Sequence, residues 1–138
     1  MTPTELVQLA KKAMEFAYVP YSGYKVGAAL LTKAGKVYLG CNIENAAYGP
    51  TNCAERTAIF KAVSEGEHEF SAIAVVGGKD GIVNDVFPPC GVCRQVMQEF
   101  CAPDFMIYMG RGDDSFEAVR LDALLPYAFS PKEHMGQG

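Results

Sequence analysis

Two short cysteine elements, far apart in the chain, constrain its fold more than any other feature. Cys53 stands in Thr51-Asn52-Cys53-Ala54-Glu55-Arg56, and Cys90-Gly91-Val92-Cys93 begins 37 positions later, behind Pro88 and Pro89. Together they offer three sulfurs to one metal, with no obvious fourth ligand. Structural zinc sites normally close with four protein ligands, whereas catalytic sites keep a position open for water, so the count favours an open site. Helical patterns begin at or just before Cys53 and at about Gly91, which sets both groups near positive helix ends that favour thiolate. The fold is therefore expected to bring two helix N-termini together around one zinc ion.

Glu55 lies two residues from Cys53, close to the metal but on a side chain pointing elsewhere from the ligand's. A carboxyl there suits a proton shuttle. Deamination of a cytosine ring needs hydroxide at C4, a proton on N3 and a proton for the departing ammonia, and one mobile carboxyl beside an activated water can serve all three. Three thiolates leave the centre formally negative, so a donor that withdraws charge from sulfur is expected, from Arg56 or Arg94. A C-x-E element alone is common by chance. Followed by P-C-x-x-C at this separation, with helix starts in place, it is specific. The plainer readings are buried or structural-zinc cysteines, a first-turn helix carboxylate at Glu55, and a solvated helix residue at Arg94.

The five cysteines are an odd number, which argues against a disulfide framework. Cys41, on an expected strand, and Cys101, after an expected helix, read as small buried residues and are left out of the site. His68 and His134 read as surface residues. The net charge of -4 and pI near 5.1 leave no positive excess for a phosphate backbone, so a small neutral or cationic substrate is expected and a nucleic-acid polymer is not. No run approaches the roughly 20 apolar residues of a membrane span, and the N-terminus lacks a signal-like segment. A cytoplasmic protein with no membrane partner is expected.

The apolar fraction of 49% in 138 residues suits a single domain spanning 1–138. Thr2 and Glu5 have capping-box spacing around Pro3, and Leu6, Leu9, Ala10, Ala13 and Ala17 recur at helical intervals, predicting a helix from about Pro3 to Phe16. Val26 to Thr32 and Lys36 to Asn42 flank the Lys33-Ala34-Gly35 turn as a β-hairpin. Ala54, Ala58, Ile59, Ala62 and Val63 mark a helix that Gly66 ends. Ser71 to Val76 reads as a buried strand, and Gly77 to Pro89 as a loop. Val92, Val96 and Phe100 share a helical stripe, Phe105 to Met109 and Phe116 to Leu121 read as strands, and a last helical turn runs from Asp122 to Leu125. This order predicts a three-layer α-β-α sandwich with a mixed, mostly five-stranded sheet flanked by helices.

With these residues in hand, the chain resembles the short, homotetrameric type of cytidine deaminase. The resemblance covers nearly all of it. It rests on Cys-Ala-Glu-Arg and Pro-Cys-Gly-Val-Cys-Arg-Gln, on Pro20-Tyr21-Ser22 with Val26-Gly27-Ala28-Ala29-Leu30, on Gly40-Cys41-Asn42-Ile43-Glu44-Asn45, and on Leu124-Leu125-Pro126-Tyr127-Ala128-Phe129. It implies a zinc ion held by Cys53, Cys90 and Cys93, with Glu55 catalytic. It further implies that Asn42 and Glu44 bind ribose hydroxyls, that Tyr24 is part of an aromatic wall at the base, and that the Ala54 amide reads the base carbonyl. Tyr48 and Phe129 would reach sites in neighbouring subunits of a homotetramer. Two departures stand out: position 24 is Tyr where the family often has Phe, and the segment before Cys90 is a few residues long, which is expected to enlarge a surface loop. The expected reaction is deamination of cytidine and 2′-deoxycytidine. The alternatives are a deaminase of a cytosine-containing antibiotic such as blasticidin, a polynucleotide-editing deaminase, and a non-catalytic zinc-stabilised binding module.

Overall fold

The computed structural model describes residues 1–136, so the last two residues of the expected 1–138 unit lie outside the described residues. Helix α1 spans Pro3–Met14. Thr2 caps it, its hydroxyl accepting from the Glu5 amide and donating to the Glu5 carboxylate, both at 3.1 Å. The helix stops two residues short of the expected Phe16, because the Glu15 and Phe16 amides turn to carbonyls three residues back, tightening the last turn. Strands β1 (Tyr24–Thr32) and β2 (Val37–Cys41) form the expected hairpin, pairing Ala28 with Gly40 and Leu30 with Tyr38. Helix α2 (Ala54–Ser64), strand β3 (Phe70–Lys79), helix α3 (Gly91–Phe100), strands β4 (Met106–Gly110) and β5 (Phe116–Arg120), and the short helices α4 (Leu121–Leu124) and α5 (Pro131–His134) complete the order.

The sheet order is β2-β1-β3-β4-β5, with β3 and β4 parallel and the other pairs antiparallel. Helices cover both faces, as the three-layer expectation requires. Side-chain alternation divides the strands cleanly. Ala29, Ala72, Ala74 and Val76 meet Leu6, Val7, Ala10 and Met14 of α1, while Ala28, Leu30, Ile73, Val75 and Ile107 meet Ala58, Ile59 and Ala62 of α2 and Cys93 and Met97 of α3. Glycines allow the two hairpin strands to be approached closely from opposite sides. A Cβ on Gly27 would sit 2.0 Å from the Ala10 carbonyl oxygen, and one on Gly40 would sit 2.4 Å from that of Ala54. Gly40 thus lets the first turn of α2, which begins right after Cys53, lie against β2.

Two expectations change. Strand β3 runs through Gly77, Gly78 and Lys79, which the sequence reading placed in the loop. These glycines mark close approach instead of a turn: Phe87 packs on Gly77, and the carbonyl of Ile82 lies 1.9 Å from where a Gly78 Cβ would be. The segment before Cys90 is likewise more than an enlarged surface loop, since Val83, Val86 and Phe87 are partly buried against the two cores. In α3 the buried face is Cys93 and Met97, whereas Val92 is exposed and Val96 and Phe100 are half-buried. No helix among the described residues is long and apolar enough to cross a membrane.

Candidate active site

Cys53 and Cys90 are the residues immediately preceding α2 and α3, both in extended backbone, and neither is engaged as a helix-capping side chain. Their sulfurs are therefore left to meet across the gap between two helix N-termini, with Cys93 joining one turn into α3. The Cys53 and Cys90 sulfurs are 3.8 Å apart, those of Cys90 and Cys93 3.5 Å, and all three lie within 4.8 Å of one another. Three thiolates at about 2.3 Å from a tetrahedral zinc would be roughly 3.8 Å apart, so the donor set fits that metal. Cys41 and Cys101 stand outside the cluster, and burial raises both thiols, Cys101 up to about 12.

Arg56 lies one turn beyond Cys53 and its Nη2 donates to the Cys53 sulfur at 3.2 Å. Without metal, negative charge collects on Cys53: the Cys93 thiol donating to it lowers its pKa, Arg56 and Cys90 add to this, and burial opposes. Cys93 is shifted up by the same bond. Arg94 does not take the sulfur role. Its Nε donates to the Pro89 carbonyl and its Nη1 to the Leu124 carbonyl, each at 2.8 Å, and Gln95 Nε2 donates to the Phe129 carbonyl at 2.9 Å. The Arg-Gln pair after Cys93 thus ties the C-terminal segment to α3.

Glu55, in the first turn of α2, is only 3% exposed. Burial pushes its carboxyl up to about 7, aided by the charge of Cys53 and opposed by its own amide and by Arg56. It shares a cavity of about 160 Å³ with Cys53, Cys90, Ala54, Tyr24, Asn42 and Phe87. Ala54 opens α2, so its amide is a first-turn donor without an intrahelical acceptor. A second cavity of about 310 Å³, lined by Tyr21, Ser22, Glu44, Tyr48 and Thr51, shares Ser22 and Thr51 with the first. A larger cavity of about 600 Å³, bordered by Lys33, His68, Glu69 and Cys101, shares no residue with either and, among the described residues, holds no metal-ligand cluster. Chemistry, not size, singles out the cysteine cavity.

Asn42 and Glu44 are held by a chain crossing. The Ile43 amide donates to the Asn52 carbonyl, and the Glu44 amide to that of Tyr18, so the segment is pinned beside the residue that precedes Cys53. Asn42 Oδ1 accepts from the Val26 amide at 2.9 Å and its Nδ2 donates to the Tyr24 carbonyl at 2.8 Å. The Glu44 carboxylate accepts from the Tyr21 and Ser22 amides, at 2.9 and 3.1 Å, and from the Ser22 hydroxyl. These bonds, the hydroxyl's first, hold it below the usual carboxylate range. Tyr48 sits exposed at the rim with φ of 62°, edge-on to the Tyr21 ring. Phe129 is exposed, stacks on His134, and lies outside both cavities.

Ser22, Val26, Thr51, Asn52, Phe87 and Pro88 also line the cysteine cavity and were not among the expected site residues. Thr51 was legible as a near neighbour of Cys53, whereas Ser22 lies 22 residues from Glu44 and only the fold brings the two together. Phe87 carried no local signal.

Residues 2–109 match the family described as the cytidine and deoxycytidylate deaminase zinc-binding region. The chain is 50% identical over 133 residues to a cytidine deaminase of Sporosarcina psychrophila, covering 96% of this chain and 95% of that one. It is 52% identical over 128 residues to one from Halalkalibacterium halodurans, covering 93% and 94%. The crystal structure of cytidine deaminase from Burkholderia pseudomallei superposes with a TM-score of 0.86 at 48% identity, over 94% of this chain and 100% of that one. With its three sulfurs gathered at two helix starts and matches that run along nearly its whole length, the chain belongs to the cytidine and deoxycytidylate deaminase family.

Proposed function

We propose that the protein hydrolyses cytidine and 2′-deoxycytidine to uridine and 2′-deoxyuridine with release of ammonia, a step of pyrimidine salvage, using one zinc ion per chain. The observation that carries this reading is a buried carboxyl, Glu55, opening into the same small cavity as the cysteine cluster. Cys53, Cys90 and Cys93 would hold the ion, and Arg56 would draw charge from the sulfur of Cys53. A zinc ion so held supplies the Lewis acidity that brings the pKa of a coordinated water towards neutrality. Glu55 takes a proton from the attacking water and places it on N3 as the oxygen adds to C4. It then moves the remaining hydroxyl proton to the amine as the C4–N bond breaks. A carboxyl whose pKa burial raises towards neutrality suits both directions of transfer.

The Ala54 amide donates to the base carbonyl, and Tyr24 walls the base. The 160 Å³ cavity suits a single ring, and the adjoining one leaves room for a sugar. Glu44, with three acceptor positions occupied, and Asn42, with one N–H engaged, retain one acceptor and one donor for a sugar hydroxyl. One hydroxyl is enough to satisfy them, so 2′-deoxycytidine is accepted as well. Phe129, exposed away from its own chain's cavities, would complete the site of a neighbouring copy in a homotetramer, and Tyr48 at the rim would reach another. A cytoplasmic location accords with the small substrate.

An ultraviolet assay on purified protein with cytidine, 2′-deoxycytidine, CMP and blasticidin, with and without a zinc chelator, tests the reading. Chelator-sensitive turnover of the first two is expected. Turnover confined to CMP or blasticidin overturns the substrate, and no turnover of any overturns the enzyme in favour of a binding module.

A further inference from the structure

Phe87 is a cavity wall that comes from the segment before Cys90. Its ring centroid is 6.4 Å from that of Tyr24, the planes inclined at 36°. The ring is backed by β3, where a Cβ on Gly77 would come 2.9 Å from Phe87 Cγ, so only glycine leaves room for it. The segment carrying it is anchored. The Gly81 and Ile82 amides donate to the Gly78 and Lys79 carbonyls at 3.2 and 3.0 Å, and Arg111 Nε donates to Asp85 at 3.2 Å. Phe87 is therefore a supported wall and not the tip of a free loop.

Resting on the proposed reading, we propose that Phe87 is a specificity-determining residue, bounding the space beside C5 of the pyrimidine and excluding cytosine nucleosides substituted there. With C4 at the three sulfurs, N3 at Glu55 and the carbonyl at the Ala54 amide, one edge of the ring is taken up by α2. N1 leads out to the sugar side at Asn42 and Glu44. C5 adjoins C4 on the opposite edge. Two walls outside α2 run into the sulfurs: Thr51-Asn52 leads through Cys53 into α2, on the side that holds N3 and the carbonyl, which leaves Phe87-Pro88, running into Cys90, beside C5. A substituent on C5 meets a ring that cannot retreat, with the Gly77 backbone behind it and Tyr24 beside it.

The test compares kcat/KM for 5-methylcytidine and cytidine in the zinc-loaded wild type and in Phe87→Ala, Phe87→Leu and Ile82→Ala. Ile82 is an exposed residue of the same segment and serves as control. The ratio of 5-methylcytidine to cytidine is expected to rise about tenfold in Phe87→Ala, the lower range for one methyl group in a tight pocket, and less in Phe87→Leu. It should stay at the wild-type value in Ile82→Ala. An unchanged ratio in both Phe87 variants overturns the proposal, as does an equal rise in Ile82→Ala, which would assign the effect to a loosened segment. If Phe87→Ala does not fold, an unchanged ratio in Phe87→Leu alone overturns it. Wild type inactive on cytidine would instead overturn the underlying reading, an outcome separate from the ratio.

Discussion

Burial and a neighbouring charge at Glu55 suit the proton-carrying role proposed for it. Its carboxyl is almost fully enclosed, beside a thiolate, and burial raises it to about 7. A carboxyl whose folded pKa lies above its unfolded value near 4.5 favours folding fully below the unfolded value, and that contribution is lost as pH rises through the folded one. Metal-free protein should therefore lose up to roughly 3 kcal/mol of stability between about pH 4.5 and 7 through this group alone. Urea unfolding of the metal-free wild type and of Glu55→Gln across that range checks it: wild type should lose stability relative to the variant as pH rises, while the lowered Cys53 thiol acts in the opposite sense in both, and parallel profiles would refute the assignment. The cysteines and Glu55 were legible in the sequence because spacing along one helix start and one C-x-x-C turn encodes them locally. Phe87 and the three donors around Glu44 were not, since each depends on segments meeting across the fold. The choice between Arg56 and Arg94 was also settled only by packing: Arg56 is one turn from Cys53, whereas Arg94 is drawn to the carbonyls of Pro89 and Leu124.

Elements position the site through the close seating of α2 on the hairpin. Gly27 and Gly40 occupy neighbouring strands and opposite faces, one beneath α1 and the other beneath the start of α2. Either glycine replaced by alanine drives a Cβ into helix backbone, an overpacking that costs about 1–3 kcal/mol. Their effects on the site should differ. Gly40→Ala pushes on the turn that carries Ala54 and Glu55 and should lower both thermal stability and zinc retention, whereas Gly27→Ala should lower stability while the folded protein keeps its zinc. Thermal unfolding with zinc analysis distinguishes them, and equal zinc loss in both would contradict the seating argument. Glycine also explains where the sequence reading of elements failed. In β3, Gly77 and Gly78 resemble loop residues, but they lie in a buried strand whose neighbours need the missing side chains. In α3 the helix forms where the Val92, Val96 and Phe100 spacing places it, and its buried face is set by Cys93, which turns inward towards the other sulfurs and carries Met97 inward with it. The hairpin, α1 and α2 were legible because their periodicities agree with their caps and turns.

At the scale of the whole molecule, the three-layer order was readable from alternating element types, yet the surface raises the question of assembly. Phe16, Tyr48, Tyr127 and Phe129 are all exposed. If copies share sites, sedimentation should give four times the 14.9 kDa chain mass. Phe129→Ala should then reduce kcat/KM for cytidine by roughly 10-fold or more, as expected for loss of a buried aromatic contact, although Phe129 borders neither cavity of its own chain. A fully active monomer would refute sharing. All of this depends on one carboxyl acting beside one metal. The most direct measurement is the initial rate of cytidine loss by Glu55→Gln, with zinc content determined on the same sample. One zinc per chain and a rate reduced by roughly 10²–10⁴ or more are expected; near-normal turnover at full zinc would show that Glu55 is not the proton carrier.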